Sequence, residues 1–201
     1  MKSYFFIFVL CLFLSSCLIS INDIGYKYLS TTDKQVFVPF NKSTFNCEVN
    51  NVENLKIQEI TVDTLKKYLH KNKYTCVYTW RAFCDGPDCK NLKYYTNIAE
   101  NQKNKDFKFI LLSVDYNLFE IKKRVNASNY SKQIYVIKYD RENYGNNIFK
   151  VNQNFVKDLA NLDIKTQYHM YYYYKDTTLI HYGVKYNQNT LDSLIEIYDR
   201  K

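Results

Sequence analysis

Proline and glycine are scarce in this chain of 201 residues, with 2 Pro and 4 Gly. That scarcity leaves no Gly-rich phosphate loop and no low-complexity tract. No Ser/His/Asp nucleophile set and no paired metal carboxylates stand out. No internal repeat is present. The longest apolar run, Tyr4 to Leu14, has 11 residues, short of the ~20 that a spanning helix needs. The net charge is +8, but the lysines are spread over helix faces and loops. Without a basic-aromatic recognition motif, the charge reads as a solvated basic surface rather than a nucleic-acid interface. The chain does hold 21 Tyr and 13 Phe, with 46% hydrophobic and 24% charged residues. Such a composition fills a core and suits one globular domain.

The N-terminus speaks to compartment. Lys2 followed by the Tyr4–Leu14 run reads as a signal peptide. It ends in Leu14-Ser15-Ser16-Cys17, which resembles the lipobox of bacterial lipoproteins. The resemblance implies a signal peptide over 1–16 and lipidation of Cys17. Residues 17–34 are then a lipidated, polar tether, and the domain occupies 35–201 with an N-terminal extension at about 35–60. The expected location is the bacterial cell envelope, lipid-anchored and facing the periplasm, where disulfides are permitted.

Four cysteines then remain. Cys76 lies mid-strand and reads as a buried small hydrophobe. Cys47 lies in a polar stretch. Cys84 and Cys89 bracket Gly86-Pro87 in Trp80-Arg81-Ala82-Phe83-Cys84-Asp85-Gly86-Pro87-Asp88-Cys89. Four cysteines allow three complete pairings, and Cys47–Cys76 is one component. An apolar strand runs from Tyr74 to Trp80 into this segment. A helix follows, with Pro87 suited to its first turn. A thiol centre fits there, because a helix N-terminus stabilises a thiolate. Arg81 and Lys90 favour a thiolate, while Asp85 and Asp88 oppose it.

Elsewhere the patterns are regular. Gln35–Phe40 and Leu55–Ile60 read as strands. Thr61 caps a helix through Val62, Leu65, Tyr68 and Leu69. Leu92, Tyr95, Ile98 and Ala99 share a helical face. Phe107–Val114 is a strand covered on both sides. Leu118–Val125 is helical and Ile134–Tyr139 is a strand. Ile148–Leu162 is a helix, and Met170–Tyr174 with Leu179–Val184 makes a hairpin. Thr190–Tyr198 closes the chain as a helix. Asp115 and Asp140 end strands and read as ordinary turn residues. The alternation predicts an α/β fold with a mixed central sheet and helices on both faces.

This order, with the frame Trp80-Arg81-Ala82-Phe83-Cys84 after the first core strand, resembles the thioredoxin-like proteins. The segment Tyr171–Asp176 followed by Leu179–Gly183 is similar to that family's final hairpin. The stretch 130–162 resembles the insert of periplasmic thioredoxin-like and peroxiredoxin-like members. The resemblance implies a thiol-disulfide oxidoreductase acting on protein thiols or disulfides. Cys84 would attack and Cys89 would resolve; Trp80, Phe83, Pro87 and His169 would face the substrate. Three departures are evident: the spacing is Cys-x4-Cys, His169 holds the family's cis-proline position, and Tyr78 holds that of its buried acid. Two alternatives follow. One is a non-catalytic binding or structural lipoprotein. The other is a chaperone holding copper or zinc on Cys84, Cys89 and His169, since two thiolates and an imidazole suit either metal. Otherwise no cofactor is expected.

Overall fold

The computed structural model describes residues 23–41, 52–82, 84, 90–100, 106–128, 130–163, 165 and 170–199. Cys17, Cys47, Phe83, Pro87, Cys89 and His169 lie outside the described residues.

Seven strands form one sheet: β1 (Phe37–Pro39), β2 (Ile57–Ile60), β3 (Tyr74–Trp80), β4 (Phe107–Ser113), β5 (Tyr135–Ile137), β6 (Met170–Lys175) and β7 (Thr178–Gly183). Their spatial order is β1-β2-β5-β4-β3-β6-β7. The first five are mutually parallel, and β6 and β7 are antiparallel to their neighbours. Every residue of β3 is buried, which is why its sequence is continuously apolar or β-branched rather than alternating. The sheet is thus a mixed one, with β5 lying between β2 and β4.

The helices are α1 (Thr31–Lys34), α2 (Val62–Leu69), α3 (Leu92–Glu100), α4 (Leu118–Ser128), α5 (Arg141–Tyr144), α6 (Ile148–Ala160) and α7 (Gln188–Asp199). Thr61 caps α2, its hydroxyl accepting from the Thr64 N–H at 3.2 Å. α2 packs with α6, and α3 packs with α4. The helices leaving β2 and β5 therefore lie on one face, and those leaving β3 and β4 on the other. α7 joins the α3 face, because the Tyr74 hydroxyl donates to Asp199 at 2.5 Å while Tyr78, on the same side of β3, stacks on Tyr95 at 4.5 Å.

Three boundaries differ from the sequence reading. α6 stops at Ala160 because Asn161 turns left-handed at φ 53°, so Leu162 leaves the apolar face and is 52% exposed. β5 stops early because the Tyr139 N–H donates to the Tyr116 hydroxyl. The regular helix after the cysteine segment starts at Leu92, capped by the Asn91 side chain, which accepts from the Tyr94 N–H at 3.1 Å, and not near Pro87.

The expected tether is also part of the fold from Asp23 onward. Ile24 is buried. Its N–H donates to the Asn146 carbonyl at 2.9 Å, and its carbonyl accepts from the Tyr116 N–H at 2.7 Å. Tyr26 stacks on Tyr139 at 4.3 Å and meets Tyr116 edge-on at 4.9 Å. A polar average hid these few apolar anchors.

Candidate functional site

β3 ends at Trp80 and the chain reverses at once. The Cys84 N–H donates to the Arg81 carbonyl at 3.4 Å, closing a turn over Arg81–Cys84. Arg81 and Ala82 are buried, while Cys84 is half-buried. Cys84 is disulfide-bonded, and its partner lies outside the described residues. The sulfur in this state is not a thiolate, so the copper or zinc reading needs Cys84 in its reduced form. Among the described residues no group of three His, Cys, Asp or Glu side chains can hold a metal ion.

Cys76 is the free thiol among the described cysteines. It is fully buried, and burial pushes its thiol well above the usual range. The Cys47–Cys76 pairing is therefore not formed. Trp80 is 2% exposed. Ending a fully covered strand, its ring belongs to the core, which corrects the expectation that it faces a substrate.

Two groups missed in the sequence reach the turn. Arg124, from α4, donates from Nη2 to the Cys84 carbonyl at 2.9 Å. A guanidinium is thereby fixed beside the cysteine. Asp115, just beyond β4, is 1% exposed. Its Oδ1 accepts from the Asn117 N–H at 3.0 Å, the short-range bond expected of a turn residue. Its Oδ2, however, accepts from the Ala82 N–H at 3.1 Å, across to the cysteine turn. Burial raises its pKa to about 6, against the pull of the two N–H donors and Arg81. Glu120 adds a smaller upward push. One signal was available: an acid ending an apolar strand at its carboxyl end, where α/β sheets gather their sites.

The position expected to hold a buried acid is occupied differently. The Tyr78 hydroxyl accepts from the Tyr95 hydroxyl at 2.7 Å, and its ring lies 4.3 Å from that of Tyr171. Burial pushes the Tyr78 hydroxyl far above its ordinary range, so it holds its proton at all physiological pH. Asp115 is the described carboxyl that reaches the turn from beneath.

No protein-family profile matches the chain, and no curated protein matches it. Solved structures do. One is the thioredoxin domain of a thiol-disulfide oxidoreductase from Bacteroides vulgatus, at 17% identity and a TM-score of 0.43, covering 66% of this chain and 82% of that one. Another is a thiol-disulfide oxidoreductase from Bacteroides fragilis, at 12% identity and a TM-score of 0.41, covering 76% and 96%. A third is thioredoxin f2 from Chlamydomonas reinhardtii, at 14% identity and a TM-score of 0.36, covering 71% and 95%.

Proposed function

We propose that the protein is a thiol-disulfide redox protein of the bacterial envelope, lipid-anchored through Cys17, with Cys84 and Cys89 as its reactive couple. The observation that carries this reading is Cys84 itself. It is disulfide-bonded and half-exposed, in a turn at the carboxyl end of a central strand. An Arg124 N–H holds its carbonyl, and a cation there favours a departing thiolate.

In the oxidised protein, a substrate thiolate attacks one sulfur of the couple. A mixed disulfide forms, the intramolecular S–S bond breaks, and the departing sulfur leaves as a thiolate. A second substrate thiolate then attacks the mixed disulfide, releasing oxidised substrate and a reduced pair. In reverse, Cys84 attacks a substrate disulfide and Cys89 resolves the intermediate. Two electrons move in either direction, and protons pass to or from water.

The test is equilibration of the purified full chain in glutathione buffers, followed by alkylation and mass mapping. A Cys84–Cys89 bond titrating between about −120 and −270 mV places it among working oxidoreductases. Resistance to reduction below roughly −300 mV, or a different partner for Cys84, makes the bond a structural staple and supports the non-catalytic reading. Cys84→Ser is expected to abolish exchange without unfolding the domain.

A further inference from the structure

Phe119 is 75% exposed and Tyr28 67%, the two most exposed large apolar side chains among the described residues. They line the same cavity of about 720 Å³, between the Asp23–Asp33 segment and the start of α4. A third exposed ring, Phe149, stands two positions beyond Asn147, which bridges to Asp23. Lysines accompany them. Lys27 sits over the Tyr28 ring at 4.7 Å, and Lys122 lines the cavity. The acids of this rim are already engaged: Asp23 with Lys27 at 2.9 Å, Glu120 with Lys123 at 3.3 Å, and Asp33 with the Ser30 hydroxyl at 2.7 Å.

What covers such a rim follows from where the chain goes next. Asp23 is pinned here through its own bridge to Asn147 and the backbone bonds of Ile24. The preceding chain must therefore leave from this end. No charged residue stands between Lys2 and Asp23. Cys17 is six residues before Asp23, a reach of at most ~20 Å when fully extended. With a lipid on Cys17, as proposed above, a bilayer lies within that reach. Exposed aromatics flanked by lysine stems are what a membrane–water interface accommodates, rings at headgroup depth and ammonium groups outward.

The geometry points to the Tyr28–Phe119 rim as the surface on which the domain rests against its own membrane. Because the rim's charges are largely paired within it, contact should depend on the aromatic rings more than on anionic lipid. A consequence follows, resting on the redox reading above. Asp115, which also lines this cavity, holds Ala82 of the Cys84 turn. The reactive turn therefore belongs to the membrane-side half of the molecule.

The test uses the full chain in vesicles of phosphatidylethanolamine and phosphatidylglycerol. The photoreactive residue p-benzoylphenylalanine replaces Tyr28, Phe119 or Ile197 in turn. Ile197 is 53% exposed, on α7 near the opposite end of β3. Lipid adducts on the order of tenfold more abundant at 28 and 119 than at 197 are expected, as for interfacial against aqueous positions. They should persist when phosphatidylglycerol is left out. Equal adducts at all three positions overturn the proposal. So do protein adducts alone at 119, or recovery of the chain free of the vesicles. The readout is independent of thiol chemistry: lipid adducts on a chain whose disulfide never turns over uphold this surface and sink the redox reading.

Discussion

Asp115 both grips the cysteine turn and burdens the fold. Its pKa, raised by burial to about 6 from an ordinary 3.8, means that ionisation is less favourable in the folded state than in the unfolded chain. The sign follows from linkage. The group's contribution to stability is fully present below the unfolded value and is lost as pH rises through the folded one. A shift of this size corresponds to about 3 kcal/mol. Denaturation of the wild type and of Asp115→Asn should therefore diverge with pH. Between pH ~4 and ~7 the wild type should lose on the order of 3 kcal/mol relative to the variant, since an amide does not titrate. A stability difference that stays flat over that range would refute a buried, titrating Asp115. At this scale the sequence disclosed only half of the site. Cys84 was legible from its place after an apolar strand. Asp115 was read as a turn residue because one of its oxygens does serve a local turn. The partner of its other oxygen, Ala82, lies 33 positions away, a distance that no local pattern spans. Arg124 was unreadable for the same reason, its bond reaching Cys84 across 40 positions.

Elements were more legible than contacts, because each has a start or stop signal in its own residues. The Thr61 cap on α2 and the near-continuous apolar runs of β3 and β4 were all in the sequence. So was the hairpin of β6 and β7, although the strands run on to a two-residue turn, with Asp176 at φ 47°, where the sequence reading leaves four residues between them. Where boundaries slipped, a side chain or a left-handed residue had intervened, as with Tyr116 at β5 and Asn161 at α6. These endings can be measured. Thr61→Ala removes the acceptor for the Thr64 N–H and should cost about 1 kcal/mol in urea denaturation. Asn161→Gly relieves the left-handed backbone at φ 53° and should leave stability unchanged or raise it by ~0.5 kcal/mol. Equal losses from both would mean that neither terminus is held as described.

At the scale of the whole molecule, helix faces change between β5 and β4. In α/β sheets a crevice for ligands opens at such a switch, outside the carboxyl ends of the strands. Here the N-terminal segment fills it, with Tyr26 stacked on Tyr139 and set edge-on to Tyr116. The same segment places the chain's point of departure beside the cysteine turn. A polar, mixed composition gave no hint of this. The packing depends on Ile24 and Tyr26, and two good anchors do not raise the average of a dozen residues.

The sealed thiol of Cys76 offers one more use. It stands in the middle of β3, fully buried and reduced, with the sheet on either side and helices above and below. A modifying reagent reaches it only when the central sheet comes apart or the C-terminal α7, which packs on the same side of β3, comes away. Its labelling rate under native conditions is thus a clock for that opening. With a fast reagent in excess, that rate should equal the opening rate and stop depending on reagent concentration. A Cys76 that labels as quickly as Cys84 of the reduced protein would mean that its cover opens far more often than the packing allows.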